Sequence, residues 1–144
     1  MDMRILAIDY GDKNLGLAIS DRLQITAQGL EKYRLRSKKE DLDYFKDLVT
    51  RYEIAKIVMG LPLRMDGSTG SRVDKTKAFA LWLEESLSIP VVYWDERLTT
   101  KEAFRILREQ GAKPRQKKQY KDQISASLIL ESYLENERSK SHVD

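Results

Sequence analysis

The stretch from Arg4 to Asp21, RILAIDYGDKNLGLAISD, constrains this chain more than any other. An apolar run, Ile5-Leu6-Ala7-Ile8, stops at an acid, Asp9. A glycine turn follows, Gly11-Asp12-Lys13-Asn14, and a second apolar run begins at Gly16 and ends near Ser20. This pattern predicts a buried strand, a tight turn and an antiparallel return strand. Asp9 falls where the first strand leaves the core, so its carboxylate is held on rigid backbone yet faces solvent and is able to bind a cation. An ordinary hairpin with a turn aspartate has the same local pattern, so the function of Asp9 depends on what else the chain brings to it.

Composition narrows the choices. With 144 residues the chain is expected to form a single domain, 1–144, with a polar tail from about 137. There is no cysteine, which excludes disulfides and thiolate metal sites. The single histidine, His142, lies in the polar tail, which argues against a histidine zinc site or a Ser-His-Asp triad. No apolar run approaches the ~20 residues of a membrane span, and Met1–Arg4 leaves no room for a signal peptide, so a cytoplasmic protein is expected. A net charge of +3 mildly favours a polyanionic partner.

Further along, Leu30-Glu31-Lys32-Tyr33-Arg34-Leu35-Arg36 reads as a third, antiparallel strand. Period two puts Lys32, Arg34 and Arg36 on one face and Tyr33 and Leu35 on the other. The cations either contact nucleic acid or protect a sheet edge from aggregation. Ser37-Lys38-Lys39-Glu40 is a capping box, and Leu42, Phe45, Leu48, Val49 and Tyr52 follow at helical spacing, predicting a helix over 39–52. Lys56 to Gly60 is a fourth strand, and the helical crossover makes it parallel to the first. Arg64 to Gly70 is a polar, glycine-containing loop that serves as connector or phosphate contact, and a second helix runs from Ser71 to about Ser86.

A fifth strand, Ile89 to Trp94, ends in Asp95-Glu96-Arg97. In a parallel sheet this is the edge where sites form. Adjacent acids on an extended strand point to opposite sides, so one of Asp95 and Glu96 faces the site; Arg97 pairs with the other acid or contacts phosphate. A third helix is expected over 101–110. The stretch QGAKPRQKKQYK, 110–121, has Lys113, Arg115, Lys117, Lys118 and Lys121 and no acid. Pro114 and the lack of periodicity predict a loop, either a solvated connector or an element that grips a phosphate backbone. Asp122 then stands in the first turn of a final, mostly buried helix, as a dipole-favoured cap or a site residue. Asn136 to Asp144 is expected to fray.

Three antiparallel strands, then helix, strand, helix, strand and helices, with acids at 9, 95–96 and 122, look like the ribonuclease H fold. That is an α/β, five-stranded mixed sheet, three antiparallel strands then two parallel, flanked by helices. The motifs narrow this further. Ile8-Asp9-Tyr10-Gly11 with Lys13, Gly60-Leu61-Pro62-Leu63 with Asp66-Gly67, Asp95-Glu96-Arg97-Leu98-Thr99-Thr100, and Lys118 with Asp122 and the helix after it closely resemble the YqgF/RuvX family. Asp12 stands where that family often has threonine or serine, and adds negative charge beside the expected metal site. The resemblance implies a cytoplasmic, metal-dependent nuclease similar in fold to the RuvC resolvases, acting in 5′-end processing of pre-16S ribosomal RNA, with Holliday junction resolution as the alternative. It implies Asp9, Glu96 and Asp122 as an acidic triad binding Mg2+ or Mn2+. The chemistry is compatible: two divalent ions about 3.5–4 Å apart serve in-line hydrolysis of a phosphodiester, and hard ions choose carboxylate oxygens. Lys13, Lys32, Arg34, Arg36, Arg97, Lys113, Arg115, Lys117 and Lys118 are the expected nucleic-acid contacts, holding backbone phosphates without reading sequence. A non-catalytic nucleic-acid binding module is the rival from another class. A nucleotide-dependent ATPase is disfavoured because 144 residues supply no second lobe, so no nucleotide cofactor is expected. The protein is expected as a monomer or a homodimer, without a membrane partner.

Overall fold

A computed structural model describes residues 3–63, 70–98 and 114–141, with the backbone course alone over 114–124 and at 141. The chain forms β1 (Arg4–Tyr10), β2 (Asn14–Ser20), β3 (Ala27–Arg34), α1 (Lys38–Tyr52), β4 (Ile54–Leu61), α2 (Ser71–Leu87), β5 (Val91–Asp95), a 3-10 turn (Glu96–Leu98) and α3 (Pro114–Ser141). The strands make one sheet in the order β3-β2-β1-β4-β5. β2 is antiparallel to β1 and to β3, while β4 is parallel to β1 and to β5. Among the described residues no helix is long and apolar enough to cross a membrane.

Period-two alternation sorts β1 between two cores. Leu6 and Ile8 are fully buried with Phe45 and Leu48 of α1 and Ala80 and Leu83 of α2. Ile5 and Ala7 turn the other way, into a second cluster with Ala126, Ile129, Leu130 and Tyr133 of α3. Both faces of the central strands are therefore covered, which is why β1 and β4 read as continuous apolar runs rather than alternating ones. Each fully buried aliphatic or aromatic side chain contributes roughly 1.5–3 kcal/mol over its exposed state. The alternation carries Asp9 onto the α3 face and Tyr10 onto the α1–α2 face, where its ring packs 5.0 Å from that of Phe79.

Ser37 caps the first helix as read. The Ser37 hydroxyl accepts from the Glu40 backbone N–H at 3.1 Å and donates to the Glu40 carboxylate at 3.2 Å. Three elements differ from the sequence reading. β3 begins at Ala27, because its pairing with β2 reaches back to Ser20 opposite Ala27. It ends before Arg36, whose backbone N–H turns instead to the buried Asp41 carboxylate at 2.9 Å. Residues from 114 to 121 are helical, not a loop, so Asp122 lies inside α3 rather than in its first turn. Pro114 is favoured at a first helical position, and Arg, Gln and Lys are good helix formers that need no apolar stripe while the rest of the helix is anchored. α3 also continues through the expected tail to Ser141, and Arg138 donates to the Ile25 carbonyl at 3.0 Å. The helix expected over 101–110 lies outside the described residues, as does the loop over 64–69.

Candidate active site

The site lies at the edge of the sheet where β1, β4 and β5 all end. Ile8 is in register with Met59, and Gly60 with Trp94. Asp9, Gly60 and the residue that follows β5 are thereby brought side by side on the α3 face. Glu96 opens the 3-10 turn and folds back over Gly60. Its carboxyl group lies against that of Asp9, which acts on its ionisation. Burial, first, and then the Asp9 carboxylate push the Glu96 pKa up to about 9.

Gly60 makes the approach feasible. A methyl group at position 60 would lie 2.6 Å from Ile129 Cδ1, 3.0 Å from Glu96 Oε1 and 3.1 Å from Glu96 Cγ. Any side chain there would move Glu96 or the α3 residue above it.

The neighbouring acid has a different role. Asp95 accepts from Arg97 through Nε at 3.0 and 3.1 Å, through Nη2 at 2.7 Å, and from its backbone N–H at 2.9 Å. Those bonds hold the Asp95 carboxyl below the usual carboxylate range, the Arg97 side chain being the largest cause. Glu96 meets Asp9; Asp95 and Arg97 meet each other.

One further cation stands at this edge. Arg72, in the first turn of α2, donates from Nη2 to the Tyr10 carbonyl at 3.3 Å, and its charge favours the ionised form of Glu96. Sequence reasoning missed it, although a signal exists. A cation in the first turn of a helix opposes the macrodipole, which marks a position chosen for some other partner. Of the expected phosphate contacts, Lys13, Arg34 and Arg36 are exposed at the same sheet edge as Asp9, since the β1–β2 turn and the end of β3 converge there. Lys32 is exposed further along the edge strand. Lys113 lies outside the described residues, as do the side chains of Arg115, Lys117, Lys118 and Asp122. Two of the three expected acids are thus together, and the third is placed only as a position on α3. Among the described residues no group of three metal-type side chains occurs.

A mixed sheet in this order, covered on both faces and carrying an acid pair where the central strand β1 and the edge strand β5 end, defines a ribonuclease H-like α/β protein. The chain belongs to the RuvX family, described as Holliday junction resolvase, whose model matches residues 3–136. A Halothermothrix orenii protein named, provisionally, as a pre-16S rRNA nuclease is 46% identical over 140 residues, covering 97% of this chain and 99% of its own. One from Syntrophus aciditrophicus with the same name is 47% identical over 133 residues, covering 92% of this chain and 89% of its own. The solved structure of Thermus thermophilus RuvC superposes with a TM-score of 0.50 at 14% identity, covering 88% of this chain and 92% of that one; the likeness is one of fold.

Proposed function

We propose that the protein is a metal-dependent nuclease that hydrolyses a phosphodiester bond in the 5′-end processing of pre-16S ribosomal RNA. The observation that carries this reading is the meeting of Asp9 and Glu96 over Gly60. Two carboxyl groups brought together at the ends of parallel strands are a site a divalent cation fits, because the cation relieves their repulsion. The donor set is oxygen only, which suits Mg2+ or Mn2+. Asp9 and Glu96 are the residues that would hold the ion, with Asp122 as third ligand. Position 122 supports that role: it precedes Ala126 and Ile129 by the i+4 and i+7 spacing of one helix face, and Ile129 packs over Gly60. When bound, such ions activate water and neutralise charge on the phosphate and the leaving oxygen. The chain itself fixes Asp9 on the central strand, holds Glu96 against it, and brings Arg72 and the Lys13–Arg34–Arg36 edge to the backbone phosphates. The pre-16S substrate is taken from the names of the relatives.

The test is a side-by-side assay on a pre-16S 5′ leader RNA and a four-way DNA junction, with Mg2+ or Mn2+. Cleavage of the RNA, lost in Asp9→Asn, is the expected result. Wild-type cleavage by pure Asp9→Asn would remove Asp9 from the mechanism. Preferential cutting of the junction would favour the second reading, a resolvase, to which the family's description points. Tight binding of either substrate with no cleavage under both ions would leave only a nucleic-acid binding module.

A further inference from the structure

Arg72, Lys75, Phe79 and Trp82 fall at i, i+3, i+7 and i+10 on α2, along one side of the helix. Ten residues of helix span ~15 Å. The stripe begins beside the acid pair, where Arg72 reaches the Tyr10 carbonyl, and passes from cations to aromatic rings. It runs into a cleft of about 440 Å³ between α2 and the corner joining β3 to α1. Three half-buried rings line this cleft: Tyr10 and Phe79 with centroids 5.0 Å apart, and Phe79 and Trp82 5.6 Å apart. Arg36, Lys38 and Lys75 line it as exposed cations.

Two carboxylates also lie in the cleft, but both are engaged. Asp41 is buried and accepts from the Tyr33 hydroxyl and the Arg36 backbone N–H. Asp12 is paired with Lys75 at 3.4 Å. Arg36 is paired likewise with Glu40 at 3.6 Å; exposed pairs of this kind are weak and exchange readily for a phosphate, and the cleft's three cations outnumber its two carboxylates around an aromatic floor. The cleft also starts one residue from the acid pair. Asp9 points to the α3 face and Tyr10 to the α1–α2 face, so a strand whose phosphate sits at Asp9 has the cleft directly over the sheet edge.

Aromatic rings interleaved with cations grip unpaired nucleotides: the cations follow phosphates and each base offers a flat face to a ring. In a duplex those faces are stacked inside the helix and out of reach. We propose that this cleft is a subsite for an unpaired nucleotide flanking the cleaved bond, with backbone phosphates on Arg72 and Lys75 and the base against Tyr10, Phe79 and Trp82. The subsite rests on the nuclease reading of the acid pair and adds to it that the strand beside the cut is single.

The test measures binding apart from cleavage. The protein is the Asp9→Asn, Trp94→Phe variant, so that Trp82 alone reports. Trp94 lies on the opposite face, packed edge-on against Tyr133 at 6.1 Å, and circular dichroism checks that its replacement leaves the fold intact. A short single-stranded RNA is expected to quench Trp82, with a duplex of the same sequence binding at least about 10-fold more weakly. Arg72→Ala and Lys75→Ala change exposed side chains, and each should weaken binding and lower the salt slope by about one phosphate contact. Asp12→Asn releases Lys75 and should tighten binding. No quenching by the single strand, equal or tighter binding of the duplex, or an unchanged salt slope in Lys75→Ala would overturn the subsite. If any of these occurs while the wild type still cleaves the leader RNA, the subsite alone falls. If the single strand quenches Trp82 and the wild type cleaves nothing with Mg2+ or Mn2+, the nuclease reading falls and the binding cleft stands.

Discussion

Two corners of this molecule enclose a carboxyl group, fully at Asp41 and partly at Glu96, and use it in opposite ways. At the β3–α1 corner Asp41 is only 6% exposed, and two donors meet it: the Tyr33 hydroxyl at 2.7 Å and the Arg36 backbone N–H at 2.9 Å. The bond is reflected in Tyr33, whose hydroxyl is pushed up to about 12, first by burial and then by Asp41. At the β1–β5 edge Glu96 meets another acid. Burying a charge costs free energy unless donors meet it, so the first corner holds the chain together while the second carries a repulsion that only a proton or a cation relieves. Such a local conflict is expected where function, rather than stability, selects the residues.

The sharpest way to break this contrast is to remove the charge at the acid pair. Glu96→Gln should lower cleavage of the leader RNA on the order of 10³-fold, about 4 kcal/mol of barrier, in a single-turnover assay. A loss below tenfold would mean that Glu96 is a bystander. At the other corner, Asp41→Ala strands the Tyr33 hydroxyl and the Arg36 N–H, and urea unfolding should show a loss of about 3 kcal/mol. If stability is unchanged, the two acids are not opposites.

A third measurement separates geometry from packing. Gly60→Ala should slow cleavage about tenfold and cost about 1–2 kcal/mol, since the added methyl meets both Ile129 and Glu96. Adding Ile129→Val relieves the contact with α3 but not the one with Glu96. Stability should then recover while the rate does not. Recovery of both together would make Gly60 a packing residue only.

The effect of pH on the acid pair carries a sign. Without divalent ions, the folded Glu96 pKa of about 9 stands above its ordinary 4.5. The folded state therefore holds the extra proton, and the stability contributed by Glu96 is full below 4.5 and is lost as pH rises through about 9. Glu96→Gln should accordingly be more stable than the wild type near pH 8, with the difference closing near pH 4. Saturating Mg2+ should also shrink the gap, by stabilising the wild type alone. A difference that is constant from pH 4 to pH 8 would show that the proton on Glu96 is not its source.

Much of this was legible in the residues, for local reasons. The apolar runs at 5–8, 15–19 and 57–59, broken by Gly11 and by the Ser37 capping box, predict their strands and the first helix, because burial on both faces leaves no polar residue to alternate. The adjacency of Asp95 and Glu96 predicts that they diverge. Which one turns to Asp9 depends on the 3-10 turn that follows β5 and on the room left by Gly60. Residues 114–121 mislead for the converse reason. A helix without an apolar stripe has no periodic signal, and these residues are helical as the start of a segment whose anchor, Ala126 to Leu134, lies further along the chain.

By itself the sequence determined the order of the strands and helices, the two-sided burial of β1, and the positions of the acids at strand ends, because each follows from the spacing of apolar and polar residues a few positions apart. The family resemblance already implied Glu96; the tertiary structure alone decided how its carboxyl group meets Asp9, that Arg72 reaches the same edge, and that three aromatic rings gather one residue away. Apart from the Phe79–Trp82 pair, those contacts join residues sixty or more positions apart, and no local pattern encodes the register of parallel strands that brings them together.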